Sequence, residues 1–233
     1  MESQNFRRIE IKYLLTKKQY NLLFDKLSKK VVQDKHGKST ICNLYFDTKN
    51  YDLIRASIEK PVYKEKVRLR SYSNPSMETY VFLEIKKKYK GIVTKNRIKI
   101  RLEEVYKYAQ NKDKNFVNSY TFKQIDYMFE KYNLLPVVYI AYDRRAYFLS
   151  DDENFRVTFD FNIRYRTEDI GLENGDSGKL LLKNDECIME VKTLDSLPIW
   201  FVEILSEFKI YPSSFSKYGN VYKKMLLKER GKK

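Results

Sequence analysis

The sequence predicts an α+β fold, an antiparallel β-barrel of about eight or nine strands with helices packed outside it and a polar, cationic lumen. Three observations predict it. Alternating strand patterns recur from one end of the chain to the other, with amphipathic helical segments distributed among them rather than gathered into a block. Across those strands the polar face is repeatedly Lys- and Arg-rich with isolated carboxylates, whereas ordinary solvated faces mix signs and use Thr, Ser and Gln freely. The chain carries 46 Lys and Arg against 31 Asp and Glu, a formal net charge of +15. That excess calls for a polyanionic partner: nucleic acid, an acidic membrane or phosphorylated small molecules.

The elements follow in order. Strands are expected at Arg7–Leu15, Thr40–Phe46, Lys64–Tyr72, Thr79–Lys88, Val93–Arg101, Val137–Tyr147, Phe155–Tyr165 and Cys187–Thr193. Helices are expected at Lys17–Lys29, Leu102–Gln110, Thr121–Tyr132, Leu197–Phe208 and Ser214–Lys228. Thr16 suits the N-cap of the first, with Leu22, Leu23 and Leu27 on one face. Lys35-His-Gly-Lys38 reads as a turn, and Asp169 to Gly178 as a Gly- and Asp-rich connector before a hairpin excursion at Leu180–Leu182. No repeat or composition break divides the 233 residues, so a single domain over 1–233 is expected, with a frayed basic tail at 223–233.

The composition excludes several classes. No apolar run approaches the ~20 residues that span a bilayer. The N-terminal residues are polar, with no signal-peptide apolar region behind them, so a cytoplasmic protein is expected. Cys42 and Cys187 lack metal-ligand spacing and read as free thiols. No signature of an RNA- or DNA-binding module is present, so nucleic acid is not the expected partner.

Side chains two apart share a strand face. By that rule Lys66, Arg68 and Arg70 oppose Val67 and Leu69. Glu84, Lys86 and Lys88 oppose Val81, Leu83 and Ile85, and Lys95, Arg97, Lys99 and Arg101 oppose Ile98 and Ile100. At the chain ends Arg8, Glu10 and Lys12 oppose Ile9 and Ile11, and Glu190 and Lys192 oppose Met189 and Val191. Between them Arg156, Thr158, Asp160, Asn162 and Arg164 oppose Val157, Phe159, Phe161 and Ile163. One such face is better explained as a solvated sheet surface. The repetition points to a lumen whose cations are stabilised by an anion with several charges. Same-face neighbours lie ~7 Å apart along a strand and ~4.8 Å apart between strands, a lattice suited to a phosphate chain. On such a face Arg68 and Arg70 are expected to leave the fold indifferent to their removal.

The ordered set Glu10-Ile-Lys-Tyr13, Arg68-Leu-Arg-Ser-Tyr72, Glu84-Ile-Lys86, Lys95-Asn-Arg97, Tyr142-Asp-Arg144, Arg156-Val-Thr-Phe-Asp160, Glu190-Val-Lys192 and Ser216-Lys-Tyr218 resembles the VTC domain. This is the polyphosphate polymerase branch of the triphosphate tunnel metalloenzymes. The likeness runs from Arg7 to about Tyr222. It implies a metal-dependent transfer of the γ-phosphate of ATP, with Mn²⁺ or Mg²⁺, onto inorganic polyphosphate threaded through a tunnel. By motif position Lys12, Arg68, Arg70, Lys86, Lys95, Arg144, Arg156, Lys192 and Lys217 are the implied phosphate ligands, to which the strand alternation adds Arg97 and Lys99. Glu190 is the implied metal ligand and Glu10 its helper, whereas Glu84 reads as a salt-bridge partner.

Two departures qualify the resemblance. Hydrolases of the superfamily open with E-x-E-x-K, and here Arg8 stands at the first acidic position. The regulatory SPX domain and membrane helices of eukaryotic VTC proteins are not recognisable in the sequence, so neither regulation nor membrane association follows from the likeness. A triphosphatase of the same fold and a non-catalytic binder of polyphosphate or nucleic acid are the alternatives. His36 is the only histidine, and Lys and Arg are protonated at ordinary pKa, so proton acceptors are scarce. That scarcity favours transfer to an anionic phosphate over attack by water.

Overall fold

A computed structural model of the chain describes residues 9–90, 92–111 and 119–230. Strands are β1 (Ile9–Thr16), β2 (Val31–Asp47), β3 (Tyr63–Ser71), β4 (Tyr80–Tyr89), β5 (Ile92–Arg101), β6 (Leu135–Leu149), β7 (Arg156–Arg166), β8 (Lys179–Leu180) and β9 (Glu186–Thr193). Helices are α1 (Lys17–Leu27), α2 (Asp52–Ile58), α3 (Leu102–Asn111), α4 (Tyr120–Tyr132), α5 (Ile199–Glu207) and α6 (Lys217–Arg230). The fold is α+β, as expected. Helix α6 runs to Arg230, into the stretch read as a tail; residues 231–233 lie outside the described residues, as do Arg7, Arg8 and the side chain of His36.

The hydrogen-bonded strand order is β1-β9-β7-β6-β2-β3-β4-β5, with β8 on β7. The pairs β1·β9, β7·β9, β2·β3, β3·β4 and β4·β5 are antiparallel. Among the described residues this order is an open path with β1 and β5 at its ends, where the sequence reading expects a closed barrel. Alternation within strands sets which face is apolar but does not encode whether the last strand pairs with the first.

The chain packs as two compact units. Unit 1 comprises residues 1–39, 142–163 and 180–215; unit 2 comprises residues 40–141, 164–179 and 216–233. In unit 1 a core of Tyr13, Leu15, Val157, Phe159, Met189 and Val191 from the strands takes Leu23 and Leu27 of α1 and Phe201, Ile204 and Leu205 of α5. In unit 2 Val67, Leu69, Val81, Leu83, Ile85, Ile98 and Ile100 pack against Val105 and Tyr108 of α3 and Phe122, Ile125, Met128 and Phe129 of α4. Helices thus cover the apolar face of each unit's strands. Residues that alternate with the core positions project from the opposite face.

Local signals explain the helices found. Thr16 caps α1 through a capping box, its Oγ1 accepting from the Gln19 amide at 3.2 Å while Gln19 Oε1 accepts from the Thr16 amide at 3.1 Å. Ser119 caps α4 at the Phe122 amide, and Asn133, at φ 48, ends it. Two elements escape the sequence reading. Strand β2 begins at Val31 and runs through the Lys35-His-Gly-Lys38 stretch read as a turn, with Gly37 at φ 56. This stretch has little apolar alternation to betray a strand, and Asp34 is held instead by Arg156 at 2.7 Å. Helix α2 is too short to show a period. Its first amides are satisfied from just upstream, Asp47 accepting from Leu53 and Ile54 at 2.9 and 3.0 Å.

Candidate functional site

In unit 2 the polar face of β2 to β5 forms a lattice set by register. One row runs Lys66, Lys86 and Lys95 across β3, β4 and β5; the next runs Tyr45, Arg68, Glu84 and Arg97; a third runs Asn43, Arg70, Phe82 and Lys99. Like charges directly opposite one another on a sheet are destabilising. A row of three lysines therefore favours a compensating anion, and within these three rows Glu84 is the single carboxylate.

Glu84 is 2% exposed and lies 2.8 Å from Arg68 Nη2 and 2.7 Å from Lys95 Nζ. Burial alone would raise its pKa, but Arg68, Arg70 and Lys95 outweigh that and hold it down at about 2. Glu84 is therefore the salt-bridge partner that its strand pattern suggested. Arg70 is buried, its Nε donating to Asn43 Oδ1 at 2.9 Å, and Asn43 in turn donates to the Ile140 carbonyl at 3.0 Å. These bonds fix the guanidinium's aim.

Arg68 Nη1 also donates to Tyr45 Oη at 3.3 Å. Burial raises the Tyr45 pKa, yet Arg68, Arg70 and Lys66 pull it down to about 8. The Tyr45 ring stacks on Tyr218 at 4.9 Å, and Tyr218 donates to Asp47 at 2.8 Å. Tyr218 thereby anchors the first turn of α6, where Lys217 sits half-buried. Arg97 and Lys99 are exposed, lying over the rings of Phe82 and Tyr80 at 4.4 and 4.9 Å.

In unit 1 the polar face of β1, β9 and β7 pairs Lys12 with Glu190 and Glu190 with Thr158, and beside that row Glu10 with Lys192 and Lys192 with Arg156. Lys192 Nζ reaches Glu190 at 2.9 Å and Glu10 at 3.9 Å, while Lys12 Nζ reaches Glu10 at 3.3 Å and Glu190 at 3.9 Å. Two carboxylates thus share two ammonium groups. Arg144 grips the fully buried Asp160 with two donors, at 2.7 and 2.9 Å. Burial would lower the Arg144 pKa, but Asp160 leads the charges that raise it well above its ordinary value. Arg156 is largely exposed and carries its ion pair to Asp34.

Among the described residues no three His, Cys, Asp or Glu side chains converge. Glu10 and Glu190 nevertheless fit a hard cation that takes its remaining ligands from phosphate and water. Beside Glu190 the buried Thr158 Oγ1 has no hydrogen-bond partner among the described residues. Such an orphan is what a missing water or ion leaves behind.

Of the residues singled out from sequence, Arg68, Arg70, Lys86, Lys95, Arg97 and Lys99 share one lattice in unit 2, with Lys217 on α6. Glu10, Lys12, Arg144, Arg156, Glu190 and Lys192 lie in unit 1. Sequence reasoning passed over Asn43, Tyr45 and Asp47. The alternation rule applied to Asn43-Leu-Tyr-Phe-Asp47 would have found them, since Leu44 and Phe46 are core while all three alternate residues are buried and hydrogen-bonded. Tyr45 is buried, but on the cationic face. Cys42 and Cys187 are free and buried, and burial raises both thiol pKa values.

The VTC domain profile matches residues 7–226, nearly the whole chain. No curated protein matches it significantly. Solved structures that share its fold include three candidate cyclases. A candidate adenylate cyclase from Bacillus halodurans is 15% identical with a TM-score of 0.57, the match covering 90% of this chain and 93% of that one. Another from Vibrio parahaemolyticus is 11% identical with a TM-score of 0.52, covering 94% and 99%. A candidate adenylyl cyclase from Hippeastrum with a dominant triphosphatase activity is 17% identical with a TM-score of 0.50, covering 91% and 93%.

Proposed function

The chain belongs to the VTC domain family, and from that premise we propose that it is a polyphosphate polymerase that moves the γ-phosphate of ATP onto a growing polyphosphate chain. The observation that carries this reading is the row of Lys66, Lys86 and Lys95 beside Arg68 and Arg70. So dense a cationic lattice favours a polyanion, and its donors recur closely enough for a phosphate chain to meet several of them.

Arg68 and Arg70 hold phosphate oxygens with guanidiniums that Glu84 and Asn43 keep in place. Lys86, Lys95, Arg97, Lys99 and Lys217 extend the phosphate contacts in unit 2; Lys12, Lys192, Arg144 and Arg156 supply them in unit 1. Glu190, helped by Glu10, holds Mn²⁺ or Mg²⁺. When bound, such an ion neutralises charge on the transferring phosphoryl group. A terminal oxygen of the acceptor chain forms the new bond to the γ-phosphorus, and the bond to the β–γ bridging oxygen breaks. ADP departs with that electron pair. The acceptor is already an anion, so no side chain has to remove a proton.

A triphosphatase is the second reading. It is favoured by the carboxylate pair Glu10 and Glu190 sharing Lys12 and Lys192, which could orient a water. The triphosphatase activity of the Hippeastrum protein makes it worth separating. With ATP, Mn²⁺ and a polyphosphate primer, the polymerase releases ADP with far less orthophosphate, the balance remaining in acid-labile chains. ADP and orthophosphate rising one for one without chain product would overturn the reading in favour of the hydrolase. A non-catalytic binder would yield neither.

A further inference from the structure

Thr158 lies on the polar face of β7, directly opposite Glu190 of β9. It is 5% exposed, and its Oγ1 is wholly buried with no hydrogen-bond partner among the described residues. A buried hydroxyl is normally satisfied, and leaving one unsatisfied is costly. Thr193 on β9 shows the usual outcome, its Oγ1 donating to the Ser196 carbonyl at 3.2 Å. Glu84 Oε1, another buried oxygen without a conventional hydrogen bond, is 2.7 Å from the Lys95 ammonium and so is neutralised by charge. Thr158 has no such relief. Valine would suit a buried strand position equally well without stranding a polar atom.

The surroundings say what the hydroxyl serves. Across the strand is Glu190, tied to Lys192 at 2.9 Å and more loosely to Lys12 at 3.9 Å. Two residues along the same face is Asp160, whose two oxygens are both taken by Arg144. Asp160 is thus gripped by the planar fork of Arg144, whereas Glu190 faces flexible lysine ammonium groups that can move aside for an ion. A hydroxyl can donate and accept, which suits it to the water shell of a hard divalent ion better than a lysine or a carboxylate.

We infer that Thr158 is a positioning residue for a divalent-cation site at Glu190, its hydroxyl hydrogen-bonding to water in the ion's shell. The inference rests on the reading of Glu190 as the metal-holding residue. Partners of this kind typically contribute ~10–100-fold to metal affinity.

The test is Mn²⁺ affinity, measured by calorimetry and by the paramagnetic resonance of free Mn²⁺, with the protein bound to the β,γ-imido analogue of ATP. Thr158→Val is expected to weaken Mn²⁺ by ~10–100-fold, to leave the metal-free affinity for the analogue unchanged, and to melt without ligand at or above the wild-type temperature. Thr158→Ser is expected to restore the affinity; Thr158→Ala replaces the Val variant should that one fail to fold. Wild-type Mn²⁺ affinity in the folded Val or Ala variant overturns the inference. So does an equal loss of analogue binding without metal, which would make the hydroxyl a phosphate ligand. A lower melting temperature without ligand overturns it too, by making the hydroxyl structural. Glu190→Gln separates the two readings. If it weakens Mn²⁺ while Thr158→Val does not, only the Thr158 inference fails; if it also leaves Mn²⁺ unchanged, the metal reading fails with it.

Discussion

Glu84-Ile-Lys86 in unit 2 and Glu190-Val-Lys192 in unit 1 are the same strand pattern, and their carboxylates have different surroundings. Both glutamates are buried on a cationic face with cations opposite in register. Glu84 is closed by Arg68 at 2.8 Å and Lys95 at 2.7 Å, one a planar fork and the other a close ammonium. Glu190 is reached by the Lys192 ammonium at 2.9 Å and by that of Lys12 at 3.9 Å, and it faces the unsatisfied Thr158 hydroxyl across the strand. A carboxylate neutralised on both oxygens at short range is structural. One met by the flexible ammonium groups of two lysines sits in a different setting, since those groups can move aside for a ligand. The difference lies in what the neighbouring strands bring, not in the pattern.

The largest test strikes the unit 2 lattice. Arg68→Ala with Arg70→Ala is expected to lower turnover by ~1,000-fold, since preorganised donors to the transferring phosphate are lost. The sequence reading expects the fold to be indifferent to this change, and the structure corrects it. Without Arg68, the buried Glu84 keeps Lys95 alone, a loss of about 3 kcal/mol for breaking such a pair. Adding Glu84→Gln should recover the melting temperature but not the turnover. Turnover near wild type in that folded triple variant would remove the lattice from the site.

Next, Glu190→Gln is expected to cut metal-dependent turnover by ~100-fold, while triphosphate affinity measured without metal changes little. Glu84→Gln should leave the Mn²⁺ dependence in place. The reverse pattern, with Mn²⁺ dependence lost at Glu84 and kept at Glu190, would exchange the roles of the two carboxylates.

A smaller effect appears in acid. Glu84 is held at about 2 against an ordinary value of 4.5, so the unfolded chain binds the proton more readily than the folded one. Stability from this carboxylate is therefore complete above pH 4.5 and disappears as pH falls towards 2. It amounts to on the order of 3 kcal/mol. Chemical denaturation across that range should show a slope in the wild type that is reduced in Glu84→Gln. Equal slopes would mean that the ion pairs do not hold the carboxylate down.

The smallest effect is alkaline. Tyr45 titrates at about 8, and its phenolate would place a negative charge against Arg68. Affinity for the imido analogue should fall gradually above pH 8, by at most ~10-fold per pH unit for one proton, and Tyr45→Phe should flatten that limb. An unchanged limb in the Phe variant would assign it to another group.

The sequence by itself determined the α+β class, the strand faces and the cationic character of the polar face. Val67, Leu69, Ile85 and Met189 are core because a strand has a period of two, and that periodicity is written locally. It determined the capped start of α1 for the same reason, since Thr16 and Gln19 meet within one turn. Only the tertiary structure decided the rest. The polar start of β2 depends on a partner far along the chain, Arg156 for Asp34, and the seven residues of α2 are too few to show a period. Register, the open order of the strands, and the separation of Glu84 from Glu190 depend on which residue stands opposite which. A hydrogen bond or ion pair across strands is worth what its partner's distance and burial make it, and neither quantity is carried by the residues of one strand alone.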